Sequence, residues 1–108
     1  MRHDQLNQSL LKGVKILECL FAGGLSGMRL GDICEATGLP GTTAWRLLHT
    51  LKQCGWVVES PAAHERLATW RLTARPAHLA ANFKRQALGI VQGVESDYQT
   101  ITGENLRN

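Results

Sequence analysis

The sequence predicts a mainly α-helical fold with a small β-hairpin, followed by a C-terminal helix. Between residues 30 and 55, a short helical segment, a Gly-Leu-Pro turn and a second amphipathic helix follow one another directly. After Gly55 the apolar residues alternate with polar ones, which is typical of strands. This order predicts a winged helix-turn-helix with a three-helix core and a hairpin that forms the wing.

The composition is that of one folded domain outside the membrane. Of the 108 residues, 44% are hydrophobic and 19% are charged, which suffices for a modest core. No apolar run approaches the roughly 20 residues of a membrane span, and the polar start does not resemble a signal peptide. We therefore expect a cytoplasmic protein. Three widely spaced cysteines favour buried, reduced thiols over disulfides or a metal site.

The charge is divided unevenly along the chain. Residues 1–85 contain 11 Lys and Arg against 6 Asp and Glu, a net charge of +5, whereas residues 86–108 contain 1 against 3, a net charge of −2. The basic part suits a nucleic-acid partner. We predict a winged helix-turn-helix DNA-binding domain over residues 1–76, a C-terminal helix over 77–98 and a flexible tail over 99–108.

The first two helices are predicted from apolar spacing and from their ends. The first covers residues 9–21, with Asn7 or Ser9 as its N-cap. Its predicted inward face carries apolar residues three and four positions apart: Leu10, Val14, Leu17, Leu20 and Phe21. The second covers residues 30–37, and Gly38 is suited to the left-handed backbone that ends a helix.

The third helix, over residues 42–54, has two chemically different faces. One is apolar and carries Ala44, Leu47, Leu48 and Leu51. The opposite face carries Thr42, Arg46, His49 and Gln53, with Trp45 and Thr50 at its flanks. These polar side chains are suited to contact bases and phosphates, whereas a merely solvated face more often carries Glu–Lys pairs.

The predicted wing follows Gly55. Its two strands cover residues 56–59 and 68–72. Trp56 and Trp70 are predicted to lie in the core, because they alternate with outward residues. Arg71 points opposite Trp70 and can face phosphate. His64 and Arg66, between the strands, either contact the minor groove or phosphate or lie in a solvated loop.

Several short segments resemble the N-terminal domain of the IclR family of bacterial transcription regulators. They are SLLKGVKILE at residues 9–18, TGLP at 37–40, TT at 42–43, RLL at 46–48 and TWRL at 69–72. The resemblance covers residues 8–75 and implies the DNA-binding domain of a transcription regulator. Family members also carry a longer C-terminal effector-binding domain, which this sequence lacks, so we expect no small-molecule effector. Gly41 stands where Lys or Arg is common, which removes one expected phosphate contact.

Arg46 is the leading candidate for DNA contact, because Arg binds the O6 and N7 edge of guanine through two hydrogen bonds. The resemblance also places an Arg at this position. The alternative is packing on the helix, or an ion pair with Asp32 or Glu35. The full set of candidate DNA-binding residues is Thr42, Thr43, Trp45, Arg46, His49, Lys52, Gln53, Arg66 and Arg71.

The other candidates on the third helix have structural alternatives. Thr42 or Thr43 can cap the helix instead of meeting phosphate. His49 and Gln53 can be merely solvated. Trp45 can pack against the wing instead of contacting a sugar or a thymine methyl group.

The C-terminal helix carries a second signal, an apolar stripe with alternating spacings of three and four residues. This C-terminal stripe consists of Ala80, Phe83, Ala87, Ile90 and Val94. The pattern is typical of a helix that pairs with another, and it predicts a homodimer. Two domains on a symmetric site would supply the affinity that one lacks. The alternative is that the stripe packs back on the domain.

Together these observations predict a sequence-specific regulator of transcription that binds double-stranded DNA, repressor-like and dimeric. A winged-helix module for protein–protein interaction stays open, as does a DNA-packaging or replication accessory protein. The charge on the recognition face favours DNA, because we expect Arg46, His49 and Lys52 to have no acidic neighbours. We expect no enzyme, because the four histidines match no catalytic or phosphate-loop spacing, and no cofactor or metal.

Overall fold

The computed structural model describes residues 5–64 and 67–107. Its elements in chain order are α1 (Gln8–Gly23), β1 (Met28–Arg29), α2 (Leu30–Thr37), α3 (Gly41–Gln53), β2 (Val57–Ser60), β3 (Thr69–Leu72) and α4 (Arg75–Thr102). Three helices followed by a hairpin confirm the predicted winged helix-turn-helix. Within the described ranges, no helix has the length and apolar character needed to cross a bilayer.

The sheet has three antiparallel strands in the order β1-β3-β2. On β3, Trp70 lies opposite Glu59 of β2 on one side and opposite Met28 of β1 on the other. The sequence did not predict β1, because two residues are too few to show the alternation of a strand. The wing is therefore anchored to the start of α2 by a third strand.

The core lies between α1, α2, α3 and one face of the sheet. Its fully buried side chains include Ile16, Leu20, Ile33, Leu48, Val57 and Trp70. Trp56 is half-buried and packs against this core, so both tryptophans lie where the sequence predicted. Cys19 and Cys34 are half-buried, but Cys54 is exposed, because it forms the C-cap of α3. The expectation of three buried thiols is therefore wrong for Cys54.

The predicted inward face of α1 is only partly correct. Leu20 is buried, but Leu10 and Phe21 are 66% and 58% exposed. The buried stripe is Gly13, Ile16 and Leu20 instead. Both stripes have helical spacing, and the packing of α1 on α2 and α3 selects between them. As one of the two predicted N-caps, Asn7 accepts a hydrogen bond from the Leu10 amide at 3.0 Å.

The turn between α2 and α3 has the predicted backbone. Gly38 has a φ of +75°, and its amide donates to the Cys34 carbonyl at 2.8 Å. The buried Thr37 hydroxyl donates to the Ile33 carbonyl at 2.7 Å. Leu39 then enters the core, so the turn is fixed to the domain on both sides before α3 begins.

The chain forms two compact units, Met1–Arg75 and Pro76–Asn108. In the second, α4 extends to Thr102, so residues 99–102 are helical although the sequence assigned them to the tail. Beyond the helix, the Arg107 guanidinium lies 2.8 Å from the Glu95 carboxylate. The structure describes no buried residue in α4.

Candidate nucleic-acid interface

The outer face of α3 presents polar side chains that a ligand can contact. Ala44 and Leu48 are fully buried on the inner side of this helix. Thr42, Arg46 and Gln53 are exposed, as the sequence predicted. The amphipathic character of α3 thus fixes the helix to the core and presents its polar side chains outward.

Arg46 has the placement that contact with a base requires. It is exposed near the middle of α3, and within the described residues no ion pair joins it to Asp32 or Glu35. The Asp32 carboxylate instead accepts a hydrogen bond from the Arg29 amide at 3.4 Å, at the start of α2. The guanidinium therefore keeps its planar set of donors for an external acceptor.

The first turn of α3 is also open to a ligand. Its N-cap is Pro40, which has no side-chain acceptor, so neither Thr42 nor Thr43 caps the helix. Thr42 is exposed and Thr43 half-buried. Backbone amides at a helix N-terminus carry partial positive charge, which suits them to phosphate.

His49 does not point outward as predicted. Its ring is half-buried, with its centroid 4.0 Å from that of Trp45 and 5.0 Å from that of Trp70. The Nε2 atom is buried. Trp70 of β3 thus packs against this flank of α3, and the half-buried imidazole does not lie free on the outer face as the sequence predicted. In consequence, the Trp45 ring packs on a residue that touches the wing.

Lys52 has an acidic neighbour, contrary to expectation. Its Nζ lies 3.4 Å from the Glu59 carboxylate on β2, and both side chains are partly exposed. The last turn of α3 lies beside β2, which brings the two charges together. An exposed pair of this kind contributes about 0–1 kcal/mol, so a phosphate can compete for the lysine.

Of the two arginines predicted to contact DNA from the wing, Arg71 lies in the described part of the chain. Arg71 is exposed and lies on the face of β3 opposite the buried Trp70, as alternation requires. His64 is exposed in the connection between β2 and β3. Arg66 lies outside the described residues.

An open cleft of about 570 Å³ lies at the start of α3. Its walls are almost wholly apolar, and its lining residues are Leu30, Gly41, Thr42, Trp45 and Arg46. A Cβ added to Gly41 would meet no atom within 4 Å. Leu30 and the cleft itself were not predicted from the sequence, because the lining comes from two helices. Over the described residues, no group of three or more His, Cys, Asp and Glu side chains could hold a metal ion.

Comparison with known proteins agrees with this geometry. Residues 9–61 match the sequence model of the IclR helix-turn-helix domain. The DNA-binding transcriptional repressor YiaJ of Escherichia coli K12 is 36% identical over 69 residues, which cover 64% of this chain and 23% of YiaJ. The transcriptional repressor IclR of the same organism is 30% identical over 101 residues, which cover 92% of this chain and 35% of IclR. The chain thus matches about a quarter to a third of the length of these relatives.

Among solved structures, the fold is similar to that of MepR, a transcription regulator of the Staphylococcus aureus multidrug efflux pump MepA. The TM-score is 0.54 at 22% identity, covering 86% of this chain and 66% of MepR. At this identity the likeness concerns the fold, a winged helix. The sequence match carries the family assignment: residues 9–61 belong to the IclR helix-turn-helix family.

Proposed function

We propose that this protein is a cytoplasmic, sequence-specific regulator of transcription that binds double-stranded DNA through α3. The observation that carries the proposal is the exposed face of α3, where Arg46 has no acidic partner among the residues that the structure describes. On the opposite side, Ala44 and Leu48 fix the helix in the core. In a helix-turn-helix, this face enters the major groove and its side chains contact base edges.

The remaining contacts divide by their chemistry. Arg46 and Gln53 are suited to base edges, and Thr42, Thr43, Lys52 and Arg71 to phosphates. Two relatives are named as repressors, which supports repression as the outcome of binding. No part of this scheme needs an enzymatic step.

The protein acts as a homodimer through the C-terminal stripe on α4. All five stripe residues are exposed, with Phe83 and Ile90 at 74% and 70%. Apolar side chains at this spacing are buried when a second helix packs on them. Two recognition helices then bind two half-sites, and the second contact becomes intramolecular.

Selection of bound duplexes from a random pool tests this function. We expect one enriched site with two symmetric halves. Arg46→Ala should lose about 5- to 150-fold in the ratio of specific to random binding, because a good Arg–guanine pair is worth about 1–3 kcal/mol. Lys52→Ala should weaken all duplexes alike and reduce the salt dependence.

Arg85→Ala is the matched control, because it removes the same charge from α4, where the Arg85 guanidinium donates to Asn82 at 3.2 Å. It should leave selectivity unchanged. A protein that enriches no sequence, or an Arg46→Ala variant with full selectivity, would contradict the proposal. Such a result would favour a protein-interaction module.

A further inference from the structure

We propose that the cleft beside Arg46 holds the 5-methyl group of a thymine, so that the protein selects a thymine next to the guanine that Arg46 binds. This inference rests on the proposed function and names one base that α3 selects. It is carried by the position, the lining and the openness of the cleft.

The cleft lies where base edges arrive in a helix-turn-helix complex. Gly41, Thr42, Trp45 and Arg46 come from the first half of α3, and the N-terminal residues of a recognition helix contact base edges. Arg46 itself lines the cleft, so a base in the cleft lies beside the base that Arg46 contacts.

The lining selects a methyl group. Leu30 and Trp45 supply apolar walls, and among the described lining residues Arg46 alone is charged. Thymine is the one base of unmodified DNA that presents a methyl group in the major groove. Adenine and guanine would bring polar edge atoms against these walls, and cytosine has only a hydrogen atom where thymine has its methyl group.

The open shape of the cleft suits the edge of a base pair within a DNA duplex better than a free small molecule. Its lining comes from two helices, with one residue on α2 and four on α3. At Gly41 it is open, because an added Cβ would meet nothing within 4 Å. A free small molecule would keep much of its surface in water here, whereas a base pair held by phosphate contacts needs to bury only its methyl edge.

The first measurement deletes the methyl group from the DNA. In the selected duplex, each thymine is replaced in turn by deoxyuridine, which leaves the hydrogen-bonding pattern intact. We expect one thymine per half-site, next to the essential guanine, at which this change weakens binding about fourfold, the loss that follows from exposing one buried methyl group. Other thymines should be neutral.

The second measurement closes the cleft from the protein side. Gly41→Leu fills it without backbone strain, since this glycine is helical and its Cβ position is open. The variant should bind thymine and deoxyuridine duplexes equally, whereas Gly41→Ala should keep most of the discrimination. Trp45→Ala removes a wall and should also abolish it. Phe21→Ala, which truncates an exposed aromatic residue on α1, should leave it intact.

The outcomes separate the two proposals. A protein that selects a site but tolerates deoxyuridine at every position overturns the thymine inference and leaves the proposed function standing. The same holds if Gly41→Leu keeps the full discrimination. Those results are expected if a small ligand or a partner protein occupies the cleft. A protein that selects no site overturns both proposals.

Discussion

The winged-helix unit and α4 bury their apolar side chains in opposite ways. In the first unit, Ile16, Leu48 and Trp70 are wholly buried in a common core. In α4, a helix of 28 residues, no residue is buried and Phe83 is 74% exposed. The first unit therefore has the means to hold its shape by itself. The stripe of α4 gains stability only when another surface covers it. We infer that the first unit determines which DNA is bound and α4 determines how many copies bind it.

The largest effect is expected when an aliphatic side chain is truncated in the core of the first unit and, for comparison, on α4. Leu48→Ala removes a fully buried side chain and should cost about 2–5 kcal/mol of unfolding free energy. Ile90→Ala removes one that is 70% exposed, and should cost less than about 0.5 kcal/mol at low protein concentration, where a dimer contributes least. Urea unfolding followed by tryptophan fluorescence measures what each truncation costs the first unit, because all three tryptophans precede residue 75. Equal losses would contradict the comparison.

A charge in the C-terminal stripe should separate binding strength from selectivity. Ile90→Glu places a carboxylate where the proposed partner helix packs, so the dimer should dissociate. Binding to a symmetric site should then fall at least about tenfold, because the second contact is no longer intramolecular. Affinity for a single half-site, and the preference for its sequence, should not change.

Gln92→Glu is the control for that experiment, because it adds the same charge at an exposed position on the side of α4 opposite the stripe. Analytical ultracentrifugation measures the association state, and titration with whole and half sites measures the affinities. A monomeric Ile90→Glu variant that still binds the symmetric site at full strength would refute the role of α4.

The sequence predicted most of the first unit because its signals are local. The glycine turn at Gly38, the polar and apolar faces of α3 and the alternation around Trp70 each depend on a few neighbouring residues. The stripe of α1 was missed because α1 carries apolar residues around most of its circumference, so its spacing fits two stripes. Contacts with α2 and α3, which the sequence of α1 does not contain, select the one with Gly13 and Ile16.

The candidate site was also only partly predictable, because contacts with other elements determine which side chains are exposed. On a helical projection, His49 lies about 20° from Thr42 and about 60° from Arg46, so its helical position alone assigns it to the polar face. The position of Trp70 on β3 determines that His49 is half-buried, because the indole of Trp70 packs against the imidazole. The cleft beside Trp45 was also out of reach, because Leu30 joins it from another helix.

A smaller effect is expected from the two glycines inside α4. A Cβ added to Gly89 or Gly93 would meet nothing within 4 Å, so alanine fits at both positions. Each substitution should stabilise the helix by about 1 kcal/mol through helix propensity alone. Circular dichroism should show greater helicity and later melting of α4, with selectivity unchanged. If the glycines instead permit close approach of two helices, the substitutions would weaken the dimer, and sedimentation would detect it.

The smallest effect is expected in the rates at which the cysteines react with a thiol reagent. All three cysteines lie in the first unit. Cys54 is exposed at the end of α3 and should react first with a thiol reagent, so Cys54→Ser should remove the fast phase. Cys19 lies 3.8 Å from the Met28 sulfur, and burial raises the pKa of its thiol. Since the thiolate is the reactive form, a raised pKa means that Cys19 reacts slowly near pH 8 and faster as the pH rises above the usual pKa of a cysteine thiol.

Leu48→Ala should speed the reaction of Cys19 with the thiol reagent, because it makes opening of the core more frequent. Ile90→Glu should leave that rate unchanged at low protein concentration, and an increase as large as that of Leu48→Ala would mean that α4 supports the core after all.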